Sequence, residues 1–129
     1  MFPEVFRAML KQKVEIVICP SYWCYEDAGK GIGHDPDSEV KLVNALCIAR
    51  AFENEIVLVY ANAAGRVNGE ENIETLIGQS QVTVPFKGVL KSLSHNKEEM
   101  FSQEIDTTIL ADAEEAYEIR KDVQKGMFG

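Results

Sequence analysis

Cys24, His34, Asp35 and Asp37 stand within one short stretch of the chain. A thiol, an imidazole and a carboxylate are the parts of a nucleophilic site, in which the base takes the thiol proton and the acid orients the base. That chemistry needs hydrogen-bond reach between nucleophile and base, which spacing along a chain does not supply. Three such residues in one stretch arise readily by chance, so the group carries little weight. Cys19 lies in an apolar β-type run and Cys47 in an apolar helical one, where a thiol behaves as a small hydrophobe. His34 and His95 have no companions at metal-ligand spacing, and neither a metal nor a cofactor is expected. Gly29-Lys30-Gly31-Ile32-Gly33 is glycine-rich but lacks the strand–glycine loop–helix frame of a phosphate loop. Tyr22 and Trp23, the sole tryptophan, directly follow a buried-type strand. In open α/β folds ligands bind beyond the carboxyl ends of strands, which makes these two aromatics candidate pocket walls. The alternative is an aromatic packed beneath the following loop.

The elements that must position these residues can be read from periodicity and punctuation. Residues 3–12 read as a helix, with Pro3 at its first position and Val5, Phe6, Met9 and Leu10 on one face. Residues 14–19 are mostly β-branched and read as a strand that Pro20 ends. Residues 24–37 read as a loop broken by glycines and Pro36. Ser38 is the expected N-cap of a helix over 38–54, whose broad apolar stripe is Leu42, Val43, Ala45, Leu46, Ala49 and Phe52. A second buried-type strand follows over 56–61, so the first half reads as a βαβ unit. Residues 63–75 are polar and read as a loop. Residues 81–86, 89–93 and 101–105 read as short antiparallel strands. Asp112 and Glu115 resemble a capping box that opens a last helix to about Lys125. The fold class is therefore α/β. So few strands would leave long unpaired edges and an uncovered face, the pattern of part of a sheet.

The chain has 129 residues, 46% of them hydrophobic, and a formal net charge of −8. Its length suits one domain. Nucleic acid and anionic membrane surfaces need a basic face and are not expected partners. The acidic residues late in the chain read as a solvated face. Three cysteines without paired spacing suit a reducing compartment, and no apolar run reaches the ~18 residues of a membrane span. The N-terminal residues carry charge throughout, with no signal-peptide core. The expected location is cytoplasmic.

An ordered series of segments carries further information. It runs through Phe2-Pro3-Glu4-Val5-Phe6-Arg7 and Val14-Glu15-Ile16-Val17-Ile18-Cys19-Pro20-Ser21-Tyr22-Trp23. Next come Ala49-Arg50-Ala51-Phe52-Glu53-Asn54 and Val59-Tyr60-Ala61-Asn62. Gly78-Gln79-Ser80-Gln81-Val82-Thr83-Val84-Pro85-Phe86-Lys87-Gly88 follows, then Ile105-Asp106 and Tyr117-Glu118-Ile119-Arg120. In order and spacing these resemble the C-terminal half of the nitrilase, or carbon–nitrogen hydrolase, superfamily over nearly the whole chain. The long stretch 25–37 is closest in look to fungal amidohydrolase-like members.

The resemblance implies an α-β-β-α sandwich, of which residues 1–129 would form the C-terminal half. It implies hydrolysis of a nitrile or small amide C–N bond by a Glu–Lys–Cys triad, with a second glutamate in support. In the family all four precede the Phe-Pro-Glu stretch, so none carries over onto a residue here. Cys19, Cys24 and Cys47 stand at the wrong places to substitute, and no catalytic residue is assigned. Resemblance gives Tyr22 and Trp23 as pocket walls. It gives Arg50, Glu53 and Asn62 as structural residues that hold helix to strand, against a plain surface pair for Arg50 and Glu53 worth ~0–1 kcal/mol. Three expectations follow for the chain alone: an inactive product of a divided gene, a half completed by a separately made N-terminal half, or a non-catalytic module that binds family members. Self-association is expected, and a small nitrile or amide is the expected substrate once completed.

Overall fold

The computed structural model describes residues 1–69 and 73–127. Helix α1 spans Pro3–Leu10 and feeds strand β1, Ile16–Ser21. A run of 3-10 turns occupies Tyr25–Gly33, and helix α2 covers Ser38–Glu53. Strands β2 (Val57–Asn62), β3 (Ala64–Asn68), β4 (Ile73–Ile77), β5 (Gln81–Val84) and β6 (Gly88–Ser92) follow. Helices α3 (Thr108–Tyr117) and α4 (Ile119–Gln124) close the described chain.

The main sheet has the order β1-β2-β5-β6. β1 and β2 are parallel, with Ile16 opposite Val57 and Ser21 opposite Asn62, and α2 makes the crossover between them. β5 and β6 add antiparallel strands beyond β2. The expected βαβ unit and antiparallel hairpin are both present. One sheet face packs on helices: Val17, Leu58 and Tyr60 meet Phe6 and Leu10 of α1, Val43, Cys47 and Ala51 of α2, and Val123 of α4. Each such buried aliphatic side chain stabilises by roughly 1.5–3 kcal/mol relative to exposure. The opposite face is covered only in part. Val57, Val82 and Val84 are buried there beneath Leu110, with Phe101, Ile105 and Ile109 packed around them. Toward β1 that cover ends, and Ile16 and Ile18 are 46% and 69% exposed.

Several expectations are corrected. Pro20 does not end β1 but lies within it, opposite Ala61. β1 is an edge of this sheet, so the missing N–H removes no ladder bond. Residues 24–37 hold 3-10 turns, and residues 64–68 and 73–77 of the expected loop form an antiparallel hairpin. Residues 101–105 form no strand, and Phe101 and Ile105 instead lie over the second face. The buried stripe of α2 is Glu39, Val43, Cys47, Arg50 and Ala51, while Leu42 and Phe52 are exposed. Ser38 does not cap α2, and its hydroxyl is buried without a partner. The last helix is two helices. Asp106 holds the start of α3 by accepting the Thr108 N–H at 3.0 Å and hydroxyl at 2.7 Å, so Asp112 and Glu115 lie inside it. Glu118 breaks the run in the left-handed region at φ 55. Glu55, fully buried, then accepts the N–H groups of Ile119 at 2.9 Å and Arg120 at 3.3 Å, capping α4 from across the fold. Arg120 reaches on to the Val14 carbonyl at 2.8 Å and fastens α4 to the approach to β1.

Candidate functional site

The parallel pair β1–β2 ends at Ser21 and Asn62, and the chain beyond β1 carries the two candidate aromatics. Asn62 locks that exit. Its side-chain carbonyl accepts the Trp23 N–H at 2.9 Å, and its amide donates to the Trp23 carbonyl at 3.2 Å. The same carbonyl accepts the Ile77 N–H at 3.0 Å, drawing β4 in. Ser80 completes the knot: its hydroxyl accepts the Asn62 N–H at 3.0 Å and faces the Asn62 carbonyl at 3.2 Å. Gly78 makes this approach feasible, since a Cβ there would lie 2.2 Å from the His95 carbonyl oxygen. The Gly-x-Ser segment is thus a joint between β2, β4 and the 95–96 backbone.

The two aromatics part from this exit. Tyr22 is 55% exposed and its hydroxyl donates to Glu74 of β4 at 2.6 Å. That bond, with burial and the charge of Glu74 adding, pushes the Tyr22 hydroxyl up to about 12. Trp23 is half-buried against the helical core, and its Nε1–H donates to Glu39 of α2 at 2.5 Å. Glu26 in the 3-10 turns accepts the Thr75 N–H at 2.9 Å, so the β3–β4 hairpin is held to both the turn segment and Tyr22.

All three thiols stand in surroundings that disfavour the thiolate. Burial, then Asp27, Glu74 and Glu26, push the Cys24 thiol up to about 11. Burial pushes Cys47 up to about 12 and raises Cys19. A nucleophilic cysteine needs the opposite environment, one that favours the thiolate. Asp35 is engaged by Lys41 and by the Asp37 N–H, which hold its carboxyl below the usual range. His95 sits in a 170 Å³ cleft that Ser80 and Asn62 also line. Its Nδ1 accepts the Lys97 N–H at 3.2 Å, which leaves Nε2 to donate to Glu99 at 2.8 Å. With both ring nitrogens engaged and the Ser80 hydroxyl tied to Asn62, these residues form no nucleophile–base pair. Among the described residues, no three His, Cys, Asp or Glu side chains come together as a metal site.

Arg50, Glu53 and Asn62 do not hold helix to strand as expected: Arg50 and Glu53 pair within α2, and the Asn62 side chain holds the Trp23 backbone. Arg50 donates to the Met1 carbonyl at 3.0 Å and to Glu53 at 2.7 Å, tying α2 to the start of α1. Asn62 ties strand to strand. Glu39 and Glu55, both buried carboxylates, were not singled out in the sequence, because each is recognised only by what it touches.

Solved structures resemble this arrangement over most of its length. A carbon–nitrogen hydrolase from Helicobacter pylori G27 superposes with a TM-score of 0.77 at 21% identity, over 94% of this chain and 42% of that one. The fold is that of the nitrilase superfamily. Nit3 of Saccharomyces cerevisiae, a member of branch 10 of that superfamily, gives a TM-score of 0.65 at 16% identity, over 90% of this chain and 37% of its own. An amidase from Nesterenkonia sp. AN1, solved in complex with acrylamide, is 30% identical over 74% of this chain and 30% of its own, with a TM-score of 0.51. The chain therefore spans well under half the length of these relatives. No family model matches the sequence, and no curated protein matches it. Among the described residues, no helix is long and apolar enough to cross a membrane.

Proposed function

We propose that residues 1–129 form the C-terminal half of a nitrilase-type carbon–nitrogen hydrolase domain, and that hydrolysis of a small nitrile or amide requires an upstream half bearing the Glu–Lys–Cys triad. The observation that carries this is the coverage: 94% of this chain matches only 42% of a hydrolase of the same fold. The amidase structure with acrylamide bound favours a small neutral amide as the substrate class. The chain contributes a pocket wall from Tyr22 and Trp23 and the scaffold that fixes them, with no catalytic residue of its own. Its three thiols, all raised, agree with that division of labour.

In this reading the chain alone is the inactive product of a divided gene, with completion by a separately made N-terminal half as the alternative. Ile16 and Ile18 stand exposed on the uncovered face of an edge strand, as a surface built to receive another layer would be. In the absence of that layer the chain should self-associate. The test is ammonia release from a panel of small nitriles and amides. The purified chain should release none above background, and changing Cys19, Cys24 and Cys47 to Ala should leave that unchanged. Release should begin when an N-terminal half with Glu, Lys and Cys is added or fused. Robust release by the chain alone, abolished by Cys24→Ala, would overturn the proposal.

A further inference from the structure

We infer that Glu39 is a positioning residue for Trp23: it sets the orientation of the indole at the mouth of the β1–β2 pair. The inference rests on the proposal that Trp23 walls the substrate pocket. Three elements hold the polar groups of Trp23, with the Asn62 amide sharing its carbonyl with Ile77. The Asn62 side chain of β2 takes its N–H, Ile77 of β4 donates to its carbonyl, and Glu39 of α2 takes its Nε1–H at 2.5 Å. The backbone bonds fix where the residue starts but not how the ring lies. The ring torsion of a tryptophan has broad, roughly two-fold preferences, and apolar packing alone discriminates poorly between flipped indoles. A directional acceptor at one edge selects one of them.

The acceptor is also costly for a packing role. Glu39 is 9% exposed, and among the described residues its side chain accepts one hydrogen bond, from the indole N–H. A carboxylate taken from water needs compensation, which an alanine or leucine at this helix position would not. Its place in the first turn of α2 offsets part of that cost through the helix dipole. The charge-assisted bond is shorter and stronger than a neutral one, so the ring it holds is stiff. A stiff aromatic wall holds substrate in one pose, which is what a small amide with few handles needs.

Trp23 is the sole tryptophan, so near-ultraviolet circular dichroism reports this one indole. In the full chain, Glu39→Ala should lose most of the indole bands while far-ultraviolet signal is kept. Glu39→Gln, whose carbonyl can accept the same N–H, should retain them. Unchanged indole bands in Glu39→Ala would overturn the inference. If Glu39→Ala does not fold, loss of the indole bands in a folded Glu39→Gln would overturn it too, since the acceptor is preserved there. In the completed enzyme, Glu39→Ala should raise KM roughly tenfold with kcat little changed, and Glu39→Gln should restore KM. A role in packing alone would lower the melting temperature without that split. If Trp23→Ala raises KM and Glu39→Ala does not, positioning by Glu39 is refuted. If the indole bands respond as stated but neither variant alters kinetics, the pocket assignment of Trp23 fails and the orienting contact stands.

Discussion

Gly78→Ala isolates the joint on which the candidate site depends. Gly78 has φ +65, and a Cβ there would meet the His95 carbonyl oxygen at 2.2 Å and the Asn96 Cα at 2.9 Å. Both obstacles are backbone, so neither can rotate away. An L-residue in this left-handed region costs roughly 1–2 kcal/mol. Displacing packed backbone to admit a methyl group costs a further ~1–3 kcal/mol. The sum of about 2–5 kcal/mol is a large share of the ~5–15 kcal/mol that stabilises a typical domain. For a chain of this size that lowers the melting temperature by about 7–18 °C. The movement should also disturb Ser80 two residues on, and with it the Asn62–Trp23 bonds. Gly65→Ala is the matched control: φ is +94 there, and no atom lies within 4 Å of the added Cβ. It carries the backbone strain without the collision. Thermal melts followed by far-ultraviolet circular dichroism at equal protein concentration compare the two. Gly78→Ala melting no lower than Gly65→Ala would refute the collision, and unchanged indole bands in Gly78→Ala would refute its link to Trp23.

Glu55 gives a pH dependence. Burial, the leading cause, raises its carboxyl above the ordinary 4.5 despite the Ile119 and Arg120 N–H groups that favour the charge. The folded state therefore keeps this proton at a pH where the unfolded chain has lost it. The contribution to stability is full below the unfolded value and is lost as pH rises through the folded one. Relative to Glu55→Gln, the wild-type melting temperature should fall as pH rises above the ordinary carboxylate value, and a difference that rises with pH would reverse the sign assigned to burial. Light scattering of the isolated chain should show dimers or larger species, through the exposed face of β1. A monodisperse, cooperatively melting monomer would remove the case for a missing layer. Adding Ile18→Lys should reduce the association, and a variant that associates as before would place the contact elsewhere.

The elements with strong local signals were legible in the sequence. The β-branched run of β1, the apolar run of β2 and the helix between them state their type by composition and period. Tight turn residues between β5 and β6 give the hairpin, where Phe86 and Gly88 take positive φ. The same local signals misjudged what lies between. Residues 63–75 are polar and look like a loop, yet 64–68 pair with 73–77 as β3–β4, and Tyr22 and Glu26, far upstream, hold that hairpin by donating to Glu74 and accepting from Thr75. Residues 101–105 look like a strand, but Phe101 and Ile105 lie over Val57, Val82 and Val84 instead of pairing. Tyr22 and Trp23 could be placed at a strand exit from sequence, whereas the partners that separate them, Glu74 and Glu39, could not. Neither could the break at Glu118, where Glu55 caps α4 from 64 residues away along the chain. By itself the sequence determined the type and order of α1, β1, α2, β2, β5 and β6, since those depend on neighbours within a few residues. Tertiary structure alone decided which buried carboxylate holds which donor, because a charged side chain is stabilised in the interior only by partners that folding brings to it.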